Sequence, residues 1–168
     1  MKKILFILIA MISLSISAQS NFGITAGYLN ASAKAEAGGL TVSASESGFF
    51  AGFIADFSVS EKFNIQPELQ YINIQDGNAL LLPVIGKYYV AEKFNLQAGP
   101  QLMFDLEESV QDISSVNIDF VLGAGFDIDE HFSVLARYSF QINNSYTGSI
   151  PDLSARINFL HAGIAYKF

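Results

Sequence analysis

The sequence predicts an all-β fold: a closed, eight-stranded antiparallel up-and-down barrel that turns its apolar face outward. Three observations predict it. Side-chain character alternates with a period of two along nearly the whole chain after residue 20. Turn signals cut that alternation into eight segments, near 21–34, 42–59, 63–75, 79–90, 94–106, 116–128, 132–143 and 155–168. Finally, 15 Phe and 7 Tyr are too many large rings for the inside of a narrow barrel.

Taken in order, the first two segments flank Gly38-Gly39, a hairpin tip bordered by small residues from Ala31 to Ser47. The third loses its alternation at Tyr71-Ile72-Asn73-Ile74, where a β-bulge is expected to reset the register. Asp76-Gly77, two residues that tolerate positive φ, marks a tight hairpin before the fourth. In the fifth, Asn95, Gln97, Gly99, Gln101 and Asp105 share one face. The sixth is the clearest: Val116, Ile118, Phe120, Leu122, Ala124 and Phe126 alternate with Asn117, Asp119, Val121, Gly123, Gly125 and Asp127. The seventh repeats this from Phe132 to Asn143, and the eighth ends at Phe168. An internal repeat sets three short turns: Val59-Ser-Glu-Lys-Phe-Asn-Ile-Gln66 matches Val90-Ala-Glu-Lys-Phe-Asn-Leu-Gln97, and Ile128-Asp-Glu-His-Phe132 is a weaker copy. Residues 107–115 and 144–154 are longer loops on the other side. Short turns at one end and longer loops at the other is the organisation of outer-membrane barrels.

Bulk decides which face meets lipid. One face carries Phe22, Phe49, Phe53, Phe104, Phe120 and Phe140 among other rings, and the opposite face carries small residues such as Gly23, Gly52, Gly99 and Gly163 beside amides and a few charges. Phe57, Phe63, Tyr88, Phe94, Phe126, Phe132, Tyr166 and Phe168 flank the short turns or the chain end, so they form an expected aromatic girdle at headgroup level. A soluble sandwich with an aromatic core would need charge to cover it, and only 15% of the 168 residues are charged, against about 25% in ordinary soluble domains. The net charge of -7 excludes a nucleic-acid binder, which needs clustered Lys and Arg. The absence of cysteine excludes disulfides, thiolate metal sites and a cysteine nucleophile.

Lys2 and Lys3, the apolar run from Ile4 to Ile16 and Ser17-Ala18-Gln19 read as a signal peptide cleaved after Ala18. The run is too short for a spanning helix, which needs about 20 residues. The expected organisation is therefore a leader, 1–18, and one barrel domain, 19–168. No later stretch is long and apolar enough to cross a bilayer as a helix, and a membrane protein without spanning helices must be a closed barrel.

Leu80-Leu-Leu-Pro-Val-Ile-Gly-Lys-Tyr-Tyr89 followed by Phe94-Asn-Leu-Gln-Ala-Gly-Pro100 resembles the small "porin family" outer-membrane barrels of the PorT-like type, and Tyr166-Lys-Phe168 looks like their C-terminal aromatic signal. The resemblance covers roughly the whole chain after the leader. It implies integral location in a bacterial outer membrane, lipid as the surrounding partner, and reading of Phe168 by the barrel-insertion machinery. Some members of that family assist protein secretion.

The inward parity of Asp56, Glu68, Lys87, Asp105, Asp119, Asp127, Arg137 and His161 makes them the candidate lumen charge network. Lys87 and Arg137 are expected to pair with carboxylates and plug the lumen, with Glu68–Arg137 and Asp119–Arg137 the pairs of interest; the competing reading is a path for cations. Catalysis is not expected: His161 falls mid-strand, and no serine or carboxylate set completes a catalytic group with it. The run Asp105, Glu107, Glu108 and Asp112 lacks the ligand spacing of a calcium loop. No cofactor and no metal is expected. The expected role is structural or interactive, with envelope partners at the loops; a narrow channel for small solutes or cations is the alternative, and a secretion-accessory barrel a third by resemblance.

Overall fold

The computed structural model describes residues 20–75, 77–107, 112–150 and 152–168. The expected leader, Asp76 of the Asp76-Gly77 turn and Glu108 of the acidic run lie outside them. The described chain forms β1 (Ser20–Ala37), β2 (Leu40–Ser60), β3 (Phe63–Ile74), β4 (Gly77–Tyr89), β5 (Phe94–Asp105), β6 (Val116–Asp127), β7 (Phe132–Gln141) and β8 (Ser154–Lys167). Neighbours pair antiparallel in sequence order, and β8 closes on β1.

Period-two alternation becomes geometry in the barrel wall. Hydrogen-bonded partners followed once around, from Ser20 through Phe57, Ile65, Gly86, Ala98, Leu122, Tyr138 and Leu160, return to β1 at Asn30, ten residues further along. Such a stagger tilts the strands by about 40° and leaves an interior just wide enough for side chains. Odd positions of β3 and even positions of β5, β6, β7 and β8 face outward, and there Leu69, Leu96, Leu122, Tyr138 and Ile164 are exposed.

The expected bulge in β3 is not where the sequence suggested. Partners run unbroken through 71–74 on both sides of β3, and the register shift falls at Ser58/Ser60, where β2 enters its turn. Unbroken alternation therefore turns Ile72 and Ile74 into the lumen. The apparent slip came from apolar residues on both faces, not from a change of phase.

β1 and β2 are the longest strands, 18 and 21 residues, and they run on to a tip at Gly38 and Gly39, whose φ values of 54° and 83° suit glycine. Much of the small-residue stretch 31–47 is thus strand rather than loop. β1 stays paired with β8 as far as Glu36 and Ser154, but the last partner of β2 on the β3 side is Gly48 with Ile74. Among the described residues, the β3-side edge of 40–47 has no strand partner.

Candidate functional site

Inward side chains fill the lumen in two zones. At the turn end the filling is polar and charged. Lys87 Nζ donates to Asp56 Oδ2 at 2.8 Å and to Gln66 Oε1 at 3.2 Å, and Asn64 supplies the other Asp56 oxygen at 2.8 Å. Gln66 Nε2 donates to Glu68 Oε1 at 2.6 Å, and Gln70 Nε2 to Glu68 Oε2 at 2.5 Å. Arg137 grips the same carboxylate with Nη2 at 2.8 Å and Nη1 at 2.9 Å, while its Nε donates to Gln97, which in turn donates to Asn95. One hydrogen-bonded network thereby crosses the lumen from β2 to β7. The glycine of β6 at 125 makes room for it, since a Cβ there would meet the Asn95 and Gln97 amides at 2.8 Å or less.

At the loop end the filling is apolar. Leu29, Phe50, Ile72, Leu81, Met103 and Phe159 pack together, none more than 5% exposed. Phe50 reaches this position because Gly27 and Gly163 carry no Cβ; one on either would lie within 2.8 Å of its ring. His161 stacks on Phe50, with ring centroids 5.3 Å apart. The expectation of a small, polar lumen holds for the turn end and needs correcting here. Outward Phe49 and Phe53 fix Phe50 as inward by parity, so the signal was present in the alternation.

The sequence-derived charge candidates separate in space. Asp56, Glu68, Lys87, Asp119, Arg137 and His161 are buried and inward. Glu68 and Arg137 meet. Asp119 and Arg137 do not pair: the guanidinium is committed to Glu68 and Gln97, and Asp119 Oδ2 instead accepts from Gln101 at 2.8 Å. Asp105 is exposed at the loop end, where its Oδ1 accepts the Glu107 N–H. Asp127 is half-buried at the turn end and accepts the Tyr89 hydroxyl at 2.8 Å. Neither belongs to the central network. Among the described residues no three His, Cys, Asp or Glu side chains gather as a metal site.

Above Asp119 lies a polar collar that the sequence did not reveal. Gln141 Nε2 donates to Asn117 Oδ1 at 3.0 Å and to Ser145 Oγ at 2.7 Å, and Asn143 also donates to Asn117. Ser145 comes from the β7–β8 connection, so no strand periodicity marked it. The collar floors a vestibule of about 290 Å³, walled by Val42, Met103, Ile113 and Ile157 with Asp105 also lining it.

The girdle residues gather at the turn end. Adjacent strands set Phe63 beside Tyr88, Phe94 beside Phe126 and Phe132 beside Tyr166. The Phe132 and Tyr166 rings lie 4.9 Å apart, Tyr166 meets Phe168 edge-on at 5.8 Å, and Phe57 sits on the same rim. The chain end is tied in place: Lys167 N–H donates to the His131 carbonyl and Phe168 N–H to that of Phe22, each at 2.8 Å.

No protein-family model matches the chain, and no curated protein matches it. Among solved structures, it is similar to a barrel from the de novo design of transmembrane β-barrels, at 11% identity and a TM-score of 0.50 over 90% of this chain and 95% of that one. It is also similar to Ail, the attachment invasion locus protein of Yersinia pestis, solved with the heparin analogue sucrose octasulfate, at 15% identity and a TM-score of 0.50 over 89% of this chain and 99% of that one. Both likenesses are of fold, and the fold is that of a transmembrane β-barrel.

Proposed function

We propose that the chain is a small integral barrel of a bacterial outer membrane, delivered by its leader, with a plugged lumen and a structural or interaction role in the envelope. The observation that carries this reading is that, among the described residues, a polar network occupies the turn end of the lumen and an apolar cluster the loop end. Location in that membrane is supported by the outward apolar band, the turn-end aromatic girdle and the fold it shares with transmembrane barrels. In this reading lipid surrounds the barrel, and the insertion machinery engages the end at Phe168. Catalysis is no part of the role. Envelope partners meet the loop end, where the edge of 40–47 is open for pairing with an extended segment. The sulfated ligand of Ail is not carried over, because acids outnumber bases 16 to 9 in this chain.

The test is conductance of the protein in a planar bilayer. Silence is expected from protein whose heat-shifted gel mobility shows it folded. Steady openings would overturn the plug and favour the second reading, a narrow cation path, which the unpaired Asp119 motivates. A secretion-accessory role rests on the PorT-like resemblance; normal secretion by a deletion strain would count against it.

A further inference from the structure

Buried polar atoms almost always have partners, and a buried carboxylate without a cation is costly. Among the described residues the other two carboxylates that lie fully inside the lumen each have one: Asp56 has Lys87, and Glu68 has Arg137, each at 2.8 Å. Asp119, 0% exposed, has only the Gln101 amide on Oδ2, and its Oδ1 has no partner in the protein. Two more buried atoms nearby share that condition: Ser139 Oγ and His161 Nε2, on residues 1% and 3% exposed.

The register sets Ser139 diagonally between Asp119 and His161. Asp119 pairs across with Gln141, two residues from Ser139 on the same face of β7. Ser139 pairs with Phe159, two residues from His161 on the same face of β8. Diagonal neighbours of this kind lie about 7–8 Å apart between α-carbons, so Ser139 neighbours both, while Asp119 and His161 stand two such steps apart. On the turn-end side lies Arg137, beside His161 in the register and bonded to Glu68. Toward the loops, Asn117 precedes Asp119 on the inward face of β6 and belongs to the amide-and-hydroxyl collar under the vestibule, which Asp105, Lys34 and Arg156 also line.

We propose that Asp119, with Ser139 beside it, forms a blind well for one monovalent cation, entered from the loop side. The donor chemistry selects the ion. Carboxylate and hydroxyl oxygens suit hard cations, and one carboxylate balances one positive charge. A divalent ion would leave an excess charge next to the Arg137 guanidinium. This goes beyond the plugged-barrel reading, since a blind well conducts nothing.

The experiment is thermal unfolding of the purified protein in neutral detergent, followed by circular dichroism, in NaCl, KCl or choline chloride at equal ionic strength. Sodium at a hundredfold excess over its dissociation constant is expected to raise the midpoint by about 5–10 °C over choline. Asp119→Asn, which keeps the shape and an acceptor for Gln101, is expected to abolish that rise. The same rise in potassium supports the site. Equal midpoints in sodium and choline overturn it, as does an undiminished sodium response in Asp119→Asn or a larger response to millimolar calcium than to sodium. Should Asp119→Asn fail to fold, Ser139→Ala decides: its sodium response shifts to severalfold higher concentration if the well exists, and an unchanged response overturns it.

Discussion

At the turn end of the lumen, Lys87 meets Asp56 and Arg137 meets Glu68, each at 2.8 Å, inside a web of amides. At the loop end, Phe50, Phe159, Ile72 and Leu81 fill the same cross-section, and Asp119, buried there, has an amide for company. The two halves close the barrel by different physics. A polar plug holds only while its partners are present, because each charge is buried on the strength of the other. An apolar plug is held by volume, and loses stability in proportion to the atoms removed.

The largest expected effect breaks the polar half. Arg137→Ala strands the Glu68 carboxylate in the lumen and should cost about 3–5 kcal/mol, read as a lower urea midpoint for the heat-shifted gel form. Replacing both partners, Glu68→Leu with Arg137→Met, should recover most of that loss. A double variant no better than the single one would mean that the charge pair is not what organises this half.

Next comes the apolar half. Phe50→Ala should cost about 3 kcal/mol, since it empties the centre of the cluster and unstacks His161. It also tests the plug directly: conductance should appear in this variant if the apolar cluster is the tighter seal. A destabilised but silent barrel would move the seal to the Arg137–Glu68 level.

These contrasts also explain how much the sequence could say. Strand positions and the outward face were legible because alternation and turn chemistry are local, and a single barrel wall has only two faces to choose between. The Glu68–Arg137 pair was suggested by parity alone, since parity names inward residues without saying which meet across the lumen. Asp119–Arg137 had the same support and did not form; the guanidinium is directed at Gln97 and Glu68 instead. Ile72 was hidden by an unneeded bulge, whereas Phe50 was inward by its parity with Phe49 and Phe53. The collar at Asn117, Gln141 and Ser145 depends on where a loop folds back, which no period encodes.

A smaller effect sharpens the boundary of the polar half. Tyr89→Phe removes the donor to Asp127 Oδ2 and should cost about 1 kcal/mol, with no change at the central network. Combined with Arg137→Ala its effect should simply add, because Asp127 lies outside the web; a coupling well above about 0.5 kcal/mol would join the two.

The smallest effect lies below the lumen, in the turns. Two of them share a backbone arrangement: Val90 and Ala91 donate to the Phe94 carbonyl, as Ile128 and Asp129 donate to that of Phe132. Where the first has Ala91 the second has Asp129, whose carboxylate accepts the Phe132 N–H at 2.7 Å and the His131 N–H at 2.8 Å. Those backbone donors, Phe132 first, hold its carboxyl below the usual aspartate range. A group whose folded value is depressed stabilises the fold above its unfolded value, near 4, and loses that contribution as pH falls through the lower folded value. Wild type should therefore melt above Asp129→Ala at pH 7, with the gap narrowing below pH ~4. Ala91→Asp should give the other turn the same acid-labile gain. A gap that stays constant through the acid range would show that the Asp129 side chain acts through its shape and not through its charge.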